Sequence, residues 1–489
     1  MEALDWLVIG VFFLALIGII VWVVRQKQND SADYFLGGRD ATWLAIGASI
    51  FASNIGSEHL IGLAGAGASS GMAMAHWEIQ GWMILILGWV FVPFYTRSMV
   101  YTMPEFLERR YNPQSRTILS VISLVSYVLT KVAVTVYAGG LVFQQVFGIK
   151  ELWGIDFFWI AAIGLVVLTA LYTIFGGMKS VLYTSVLQTP ILLLGSLIIL
   201  VLGFKELGGW DEMMRVCGAV TVNDYGDTMT NLIRSNDDAN FPWLGALIGS
   251  AIIGFWYWCT DQFIVQRVLS GKNEMEARRG TIFGAYLKLL PVFLFLIPGM
   301  IAFALHQKYI GAGGEGFLPM LANGTANADA AFPTLVAKLL PAGVKGLVVC
   351  GILAALMSSL ASLFNSSAML FTIDFYKRFR PETPEKKLVG IGQVATVVIV
   401  ILGILWIPIM RSVGDVLYTY LQDVQSVLAP GIAAAFLLGI CWKRTSAQGG
   451  MWGLIAGMVI GLTRLGAKVY YSNAGEVADS TFKYLFYDM

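Results

Sequence analysis

Apolar residues gather into runs of about 20 or more along most of the 489-residue chain, separated by short polar stretches. A run of that length spans the hydrocarbon core of a bilayer as a helix. The runs predict helices near residues 4–25, 42–68, 73–96, 116–147, 155–175 and 181–203, and then near 241–269, 279–306, 333–376, 387–410, 412–440 and 447–470. The expected protein is therefore an all-α polytopic membrane protein of twelve helices. Setting the first aside leaves five, five and one. Because five is odd, two five-helix halves would run in opposite directions through the bilayer, the topology of an inverted repeat. The expected divisions are an extra N-terminal helix with an inner loop (1–40), a first repeat (41–204), an outer loop (205–240), a second repeat (241–440), and an extra C-terminal helix with a tail (441–489).

Composition agrees, with 57% of residues hydrophobic and 13% charged and a mean hydropathy of +0.71. A net charge of +1 gives no electrostatic case for a nucleic-acid partner; the expected surroundings are a lipid bilayer. The four cysteines are scattered and show no metal-ligand spacing. The first apolar run lacks a cleavage site of small residues and reads as a retained helix. With the N-terminus outside, 19 of the 32 lysines and arginines, Arg267 among them, fall in inner loops, the bias expected of a cell membrane protein.

Several polar residues interrupt these runs. "FASNIGSEHL" (51–60) places Ser53, Asn54, Glu58 and His59 around Gly56, and "WYWCTDQ" (256–262) opens the second half in the corresponding place. Broken helices at matching positions of two halves mark the binding site of a transporter. Glu78 in "AHWEIQGW" is either an intramembrane carboxylate, which is functional by default, or an interfacial one. Lys288 in "GAYLKLLPVF" lies too far from its helix ends to snorkel and needs a partner, functional or structural. Lys131 reads as structural. In "ALMSSLASLFNSS" (355–367) the serines either let helices pack closely or, as the pair Ser358 and Ser359, offer oxygens to a hard monovalent cation. Tyr257 and Trp258, with the amides Gln422 and Gln425, have the mixture of flat faces and hydrogen-bonding groups that a sugar requires.

At these residues the chain resembles the sodium/solute symporters, and among them the sodium/glucose cotransporters. The likeness is carried by "FASNIGSEHLIGLAGAGA", "ALYTIFGGMKSVLYT", "WYWCTDQFIVQRVLS", "YLKLLPVFLFLIPGM", "LMSSLASLFNSSAMLFTIDFY" and "FLLGICWKR", in order from about residue 30 to 465. The resemblance implies a leucine-transporter-like fold and sodium-driven symport of a sugar by alternating access, with sodium (Na+) as the coupling ion and no enzymatic activity. It places sodium at the carbonyls of Ala52, Ile55 and Ala355 and the hydroxyls of Ser358 and Ser359. Sugar contacts fall at Asn54, His59, Glu78, Trp258, Lys288 and Gln422, with Tyr257 stacking beneath as inner gate, and Leu63, Trp77 and Tyr418 fall at the outer lid. Gly81 and Gly254 stand where relatives carry polar side chains. Ser185 and Ala361 stand where relatives with a second sodium carry an aspartate and a hydroxyl, which implies one sodium per sugar. Other small polar solutes such as myo-inositol, an amino acid or a carboxylate, and a non-transporting sodium-dependent sugar sensor, are the alternatives.

Overall fold

The computed structural model describes residues 1–26, 30–56, 58–238, 240–321, 324–413 and 417–474, with the side chains of 129, 145, 409–423 and 468–474 excepted. Ten runs of helix among the described residues are long and apolar enough to cross a membrane. Two of them each contain more than one expected helix, and twelve rods result: α1 (Ala3–Val24), α2 (43–70), α3 (71–98), α4 (113–147), α5 (157–176), α6 (178–207), α7 (243–269), α8 (274–311), α9 (344–379), α10 (Glu385–Val413), α11 (Leu417–Cys441) and α12 (Ala447–Ala474).

The α5–α6 turn shows how a continuous apolar run becomes two helices. Gly177 adopts φ 53°, ψ −152°, a conformation open to glycine and few other residues. A side chain there would meet the Tyr34 carbonyl oxygen at 2.4 Å. The expected helix 333–376 is likewise divided: Ala331–Leu339 ends before Pro341, and Gly343 (φ +83°) precedes α9. Proline cannot donate to a continuing helix, so the apolar run is long but the helix is not.

α9 is the central rod. Its most apolar 18-residue stretch is 89% buried, against 22% for α1. The peripheral α1 is nevertheless fixed to it, because the buried Asp5 carboxylate accepts from the Gly343 and Gly346 N–H groups at 2.7 and 2.8 Å, satisfying donors that the start of α9 leaves free.

Two rods are interrupted. α2 is regular through Asn54; Ile55 is extended (φ −80°, ψ 101°), and Glu58–Leu63 resumes as a widened turn. α7 widens over Phe255–Thr260 and breaks at Asp261 (φ −73°, ψ 128°), whose side chain caps the restart by accepting from the Phe263 N–H. Arg267, expected in an inner loop, is buried in the second half of α7. Its assignment to a loop is thereby corrected: the expected run 241–269 already contained it, and the restart capped by Asp261 keeps 262–269 helical.

The turn at Gly177 makes a prediction. Gly177→Ala is expected to cost at least about 2 kcal/mol and to lower the melting temperature of the purified protein. Gly164→Ala, whose added carbon meets nothing within 4 Å, should leave it unchanged. Equal melting temperatures for the two variants would contradict this account of the turn.

Candidate functional site

The breaks in α2 and α7 face each other across a polar cavity that both line. At its floor, Asn54 donates through Nδ2 to the Tyr257 hydroxyl at 2.9 Å, so the two broken helices are joined at their breaks. Tyr257 stands edge-to-face with Trp258, ring centroids 4.9 Å apart at 89°.

Glu78 is 3% exposed and buried within the bundle. Lys288 Nζ lies 2.6 Å from Glu78 Oε2 and 2.8 Å from His59 Nε2, and His59 Nε2 lies 3.1 Å from Glu78 Oε1. An ammonium can only donate, so Lys288 bridges carboxylate and imidazole, and a neutral ring accepting at Nε2 carries its proton on Nδ1. α2, α3 and α8 meet in this cluster. Apart from Glu78 Oε2, which the Lys288 ammonium meets, three buried atoms at the cavity have no hydrogen-bond partner among the described residues: Asn54 Oδ1, His59 Nδ1 and Gln80 Oε1. Buried polar atoms without partners are costly in a bilayer, and together they offer acceptors and a donor to a hydroxylated ligand.

Gln80 was not singled out in the sequence. A side-chain carbon at Gly254 would stand 2.7 Å from Gln80 Oε1, and one at Gly81 would stand 2.6 Å from the Lys288 stem. The two glycines thus admit the Gln80 amide and the stem of Lys288. The signal was present, since "IQGW" sets Gln80 beside Gly81, but pairing Gln80 with Gly254 requires knowing that α3 faces α7.

Below the cavity lies a network of serines. Ser359 Oγ donates to the Ser53 carbonyl at 2.8 Å and stands 3.5 Å from the Ile55 carbonyl. Ser358 Oγ is 3.3 Å from Ser185 Oγ. Ala52 and Ala355 are buried on the same two helices, Ala355 one turn before Ser359. Of the five expected sodium-site positions, Ser359 and Ile55 meet at the break, and the Ser53 carbonyl joins them. Arg267 donates from Nη2 to Ser53 Oγ at 2.6 Å and from Nε to Ser49 Oγ at 3.1 Å; sequence reasoning missed it by placing it in a loop.

Leu63 is fully buried and Trp77 lines the cavity. The side chains of Tyr418 and Gln422 lie outside the described residues, whereas Gln425 lines the cavity from α11. Lys131 has a structural partner: its Nζ is 2.6 Å from Asp261 Oδ2, the Tyr127 hydroxyl donates to the other carboxylate oxygen, and the ammonium stands 4.6 Å over the Tyr257 ring.

A twelve-rod membrane protein with two facing broken helices and a polar cavity between them has the architecture of an ion-coupled secondary transporter. The sequence profile of the sodium:solute symporter family matches residues 34–457, and the chain belongs to that family. It is a sodium-coupled, multi-pass symporter of a small molecule and not an enzyme. It is 38% identical over 479 residues to the human sodium/myo-inositol cotransporter 2, covering 95% of this chain and 70% of that one. It is 37% identical over 482 residues to the zebrafish (Danio rerio) sodium/glucose cotransporter 4, covering 95% and 72%. Among solved structures, a Na+-coupled sialic acid symporter in a substrate-bound outward-open state superposes with a TM-score of 0.75 at 21% identity, over 94% of this chain and 98% of that one. The fold is thus the leucine-transporter-like five-plus-five arrangement, with α1 and α12 outside it.

The Lys131–Asp261 pair gives a second prediction. Lys131→Met strands a buried carboxylate, which costs about 3–5 kcal/mol, whereas adding Asp261→Asn should restore much of the loss. Thermal unfolding of the three proteins checks it; a Lys131→Met protein as stable as wild type would contradict it.

Proposed function

We propose that the protein imports a neutral polyhydroxylated solute, a sugar of the glucose or galactose type, by alternating access in a cell membrane with its N-terminus outside. The observation that carries this reading is the closed Glu78–Lys288–His59 cluster beside three open hydrogen-bonding atoms. The carboxylate and ammonium at the cavity neutralise each other, so neither remains to hold a charged amino acid or carboxylate, while hydroxyl groups find both donors and acceptors. In this reading Asn54, His59, Glu78, Trp258, Lys288 and Gln422 contact the sugar and Tyr257 stacks beneath it as the inner gate. Leu63, Trp77 and Tyr418 close above it. The halves are residues 41–204 and 241–440, with 205–240 as the outer loop between them.

Myo-inositol is the second reading, favoured by the names of relatives such as the human sodium/myo-inositol cotransporter 2. It presents the same ring of hydroxyls without a ring oxygen. A sodium-dependent sensor that does not transport is separated from both by counterflow of labelled solute in proteoliposomes.

Sodium is assigned to the carbonyls of Ala52, Ile55 and Ala355 and the hydroxyls of Ser358 and Ser359, a set of oxygens suited to a hard cation. Ser359→Ala should abolish sodium-dependent uptake of labelled D-glucose, D-galactose and myo-inositol by proteoliposomes while the protein remains folded; wild-type sodium dependence in that variant would rule the assignment out. Glu78→Ala should weaken solute binding by about 1–3 kcal/mol.

One sodium per solute is the proposed stoichiometry. Ser185 donates to the Val181 carbonyl at 2.6 Å and faces Ser358, and Ala361 offers no oxygen, so no charged side chain serves a second ion there. One sodium entering down 100 mV and a tenfold gradient supplies about 3.7 kcal/mol, which concentrates a neutral solute about 500-fold. Reversal potentials in proteoliposomes should give a 1:1 ratio; 2:1 would contradict it.

A further inference from the structure

The cavity contains a carboxylate that neither the solute reading nor the cation reading uses. Glu58 stands at the restart of α2, three residues after Ile55, and lines the cavity. The basic groups whose charge acts on it, Lys131 and Lys288, make their direct ion pairs with other carboxylates. Lys288 is paired with Glu78 and Lys131 with Asp261, and Arg267 donates to serine hydroxyls. Glu58 has neither a hydrogen bond nor an ion pair among the described residues.

Its position is fixed by Gly56. A side-chain carbon on Gly56 would stand 2.4 Å from Glu58 Oε2 and 3.0 Å from Ser359 Oγ. The carboxylate therefore folds back over the break in α2 and occupies, with the Ser359 hydroxyl, the space that a side chain at residue 56 would fill. Ser359 Oγ is in turn the hydroxyl nearest the Ile55 carbonyl. Glu58 thus borders the Ser359 end of the cavity, and its charge also acts on Lys131 and Lys288.

The electrostatics of that end favour a negative charge. The proposed cage of three carbonyls and two hydroxyls is neutral, and Ser53 connects it directly to a guanidinium: its carbonyl accepts from Ser359 and its hydroxyl accepts from Arg267. A cation entering a neutral cage beside a buried arginine meets repulsion that bulk water does not screen. A carboxylate near Ser359 offsets it.

We propose that the Glu58 carboxylate is a ligand or immediate counter-charge of the transported sodium ion, supplying the negative charge that the neutral oxygen cage lacks and that Arg267 makes necessary. The inference rests on the cage assigned above. Gly56 is then part of the same device, because any side chain there would separate the carboxylate from Ser359. Sodium binding also becomes coupled to the restart of α2: the ion holds Glu58, and through it the turn that carries His59, in the arrangement that meets the solute.

The test is a sodium titration of purified wild type, Glu58→Gln, Glu58→Asp and Ser359→Ala, read by thermal stability in sodium chloride against choline chloride at constant ionic strength. Glu58→Gln is expected to raise the half-saturating sodium concentration about tenfold or more, and Glu58→Asp to give an intermediate value. At saturating sodium, half-saturation by whichever of D-glucose, D-galactose and myo-inositol the wild type accumulates most should stay within about twofold of wild type. A wild-type sodium titration in Glu58→Gln overturns the proposal. So does an unchanged sodium response with weakened solute binding, which would make Glu58 a solute ligand. If Glu58→Gln is not recovered folded, the Glu58→Asp titration decides, and an unchanged value there overturns the proposal as well. A Ser359→Ala protein that still titrates like wild type would instead show that the cage itself is misplaced.

Discussion

Everything in the site depends on α2 stopping at Asn54 inside a membrane. An intact helix satisfies its own backbone and presents nothing but side chains to a cavity. Once Ile55 turns extended, carbonyl oxygens near the break lose their helical donors and must find others. Ser359 on the central rod α9 supplies one hydroxyl to the Ser53 carbonyl, and the geometry that remains is a group of oxygens about a small space. The break in α7 answers it from the other half, with Asn54 and Tyr257 bridging the two. The burial of α9, the most enclosed of the rods, gives that arrangement a rigid back wall.

Charges inside the bundle follow a consistent rule. Each lysine there meets a carboxylate from another rod: Lys288 on α8 meets Glu78 on α3, and Lys131 on α4 meets Asp261 on α7. Such pairs contribute little net stability but heavily penalise any packing that separates them, so they fix which rods may be neighbours. Arg267 and Glu58 depart from the rule, since neither has an ion-pair partner among the described residues. Arg267 reaches the proposed sodium cage through Ser53, and Glu58 borders it at Ser359. Several of these residues, His59, Lys131 and Tyr257 among them, lie on widened helical turns, which tilt side chains away from the regular helical stripe toward the cavity.

The sequence made the rods legible because bilayer thickness sets a minimum apolar length that a globular core does not, and the polar interruptions at 53–59 and 256–262 stood out against it. The pairing of Glu78 with His59 and Lys288 was recoverable only as a resemblance; no spacing along the chain brings residues 59, 78 and 288 together. Hydropathy also failed where a run conceals backbone geometry. It read 333–376 as one helix although Pro341 and Gly343 interrupt it, and it counted Arg267 as a loop cation although the serines of α2 receive it. Gln80 was overlooked because its importance arises from an absence, the missing side chain of Gly254 on a different rod.

The central claim is that sodium and solute share the broken helix α2, so that each ion or solute bound prepares the site for the other. Linkage makes this measurable without transport: the factor by which sodium tightens solute binding must equal the factor by which solute tightens sodium binding. The most direct measurement is the dissociation constant of the transported solute in saturating sodium chloride and in choline chloride, paired with the sodium dissociation constant with and without that solute. The account predicts one common factor, at least about fivefold. Solute binding of equal strength in the two salts would contradict it.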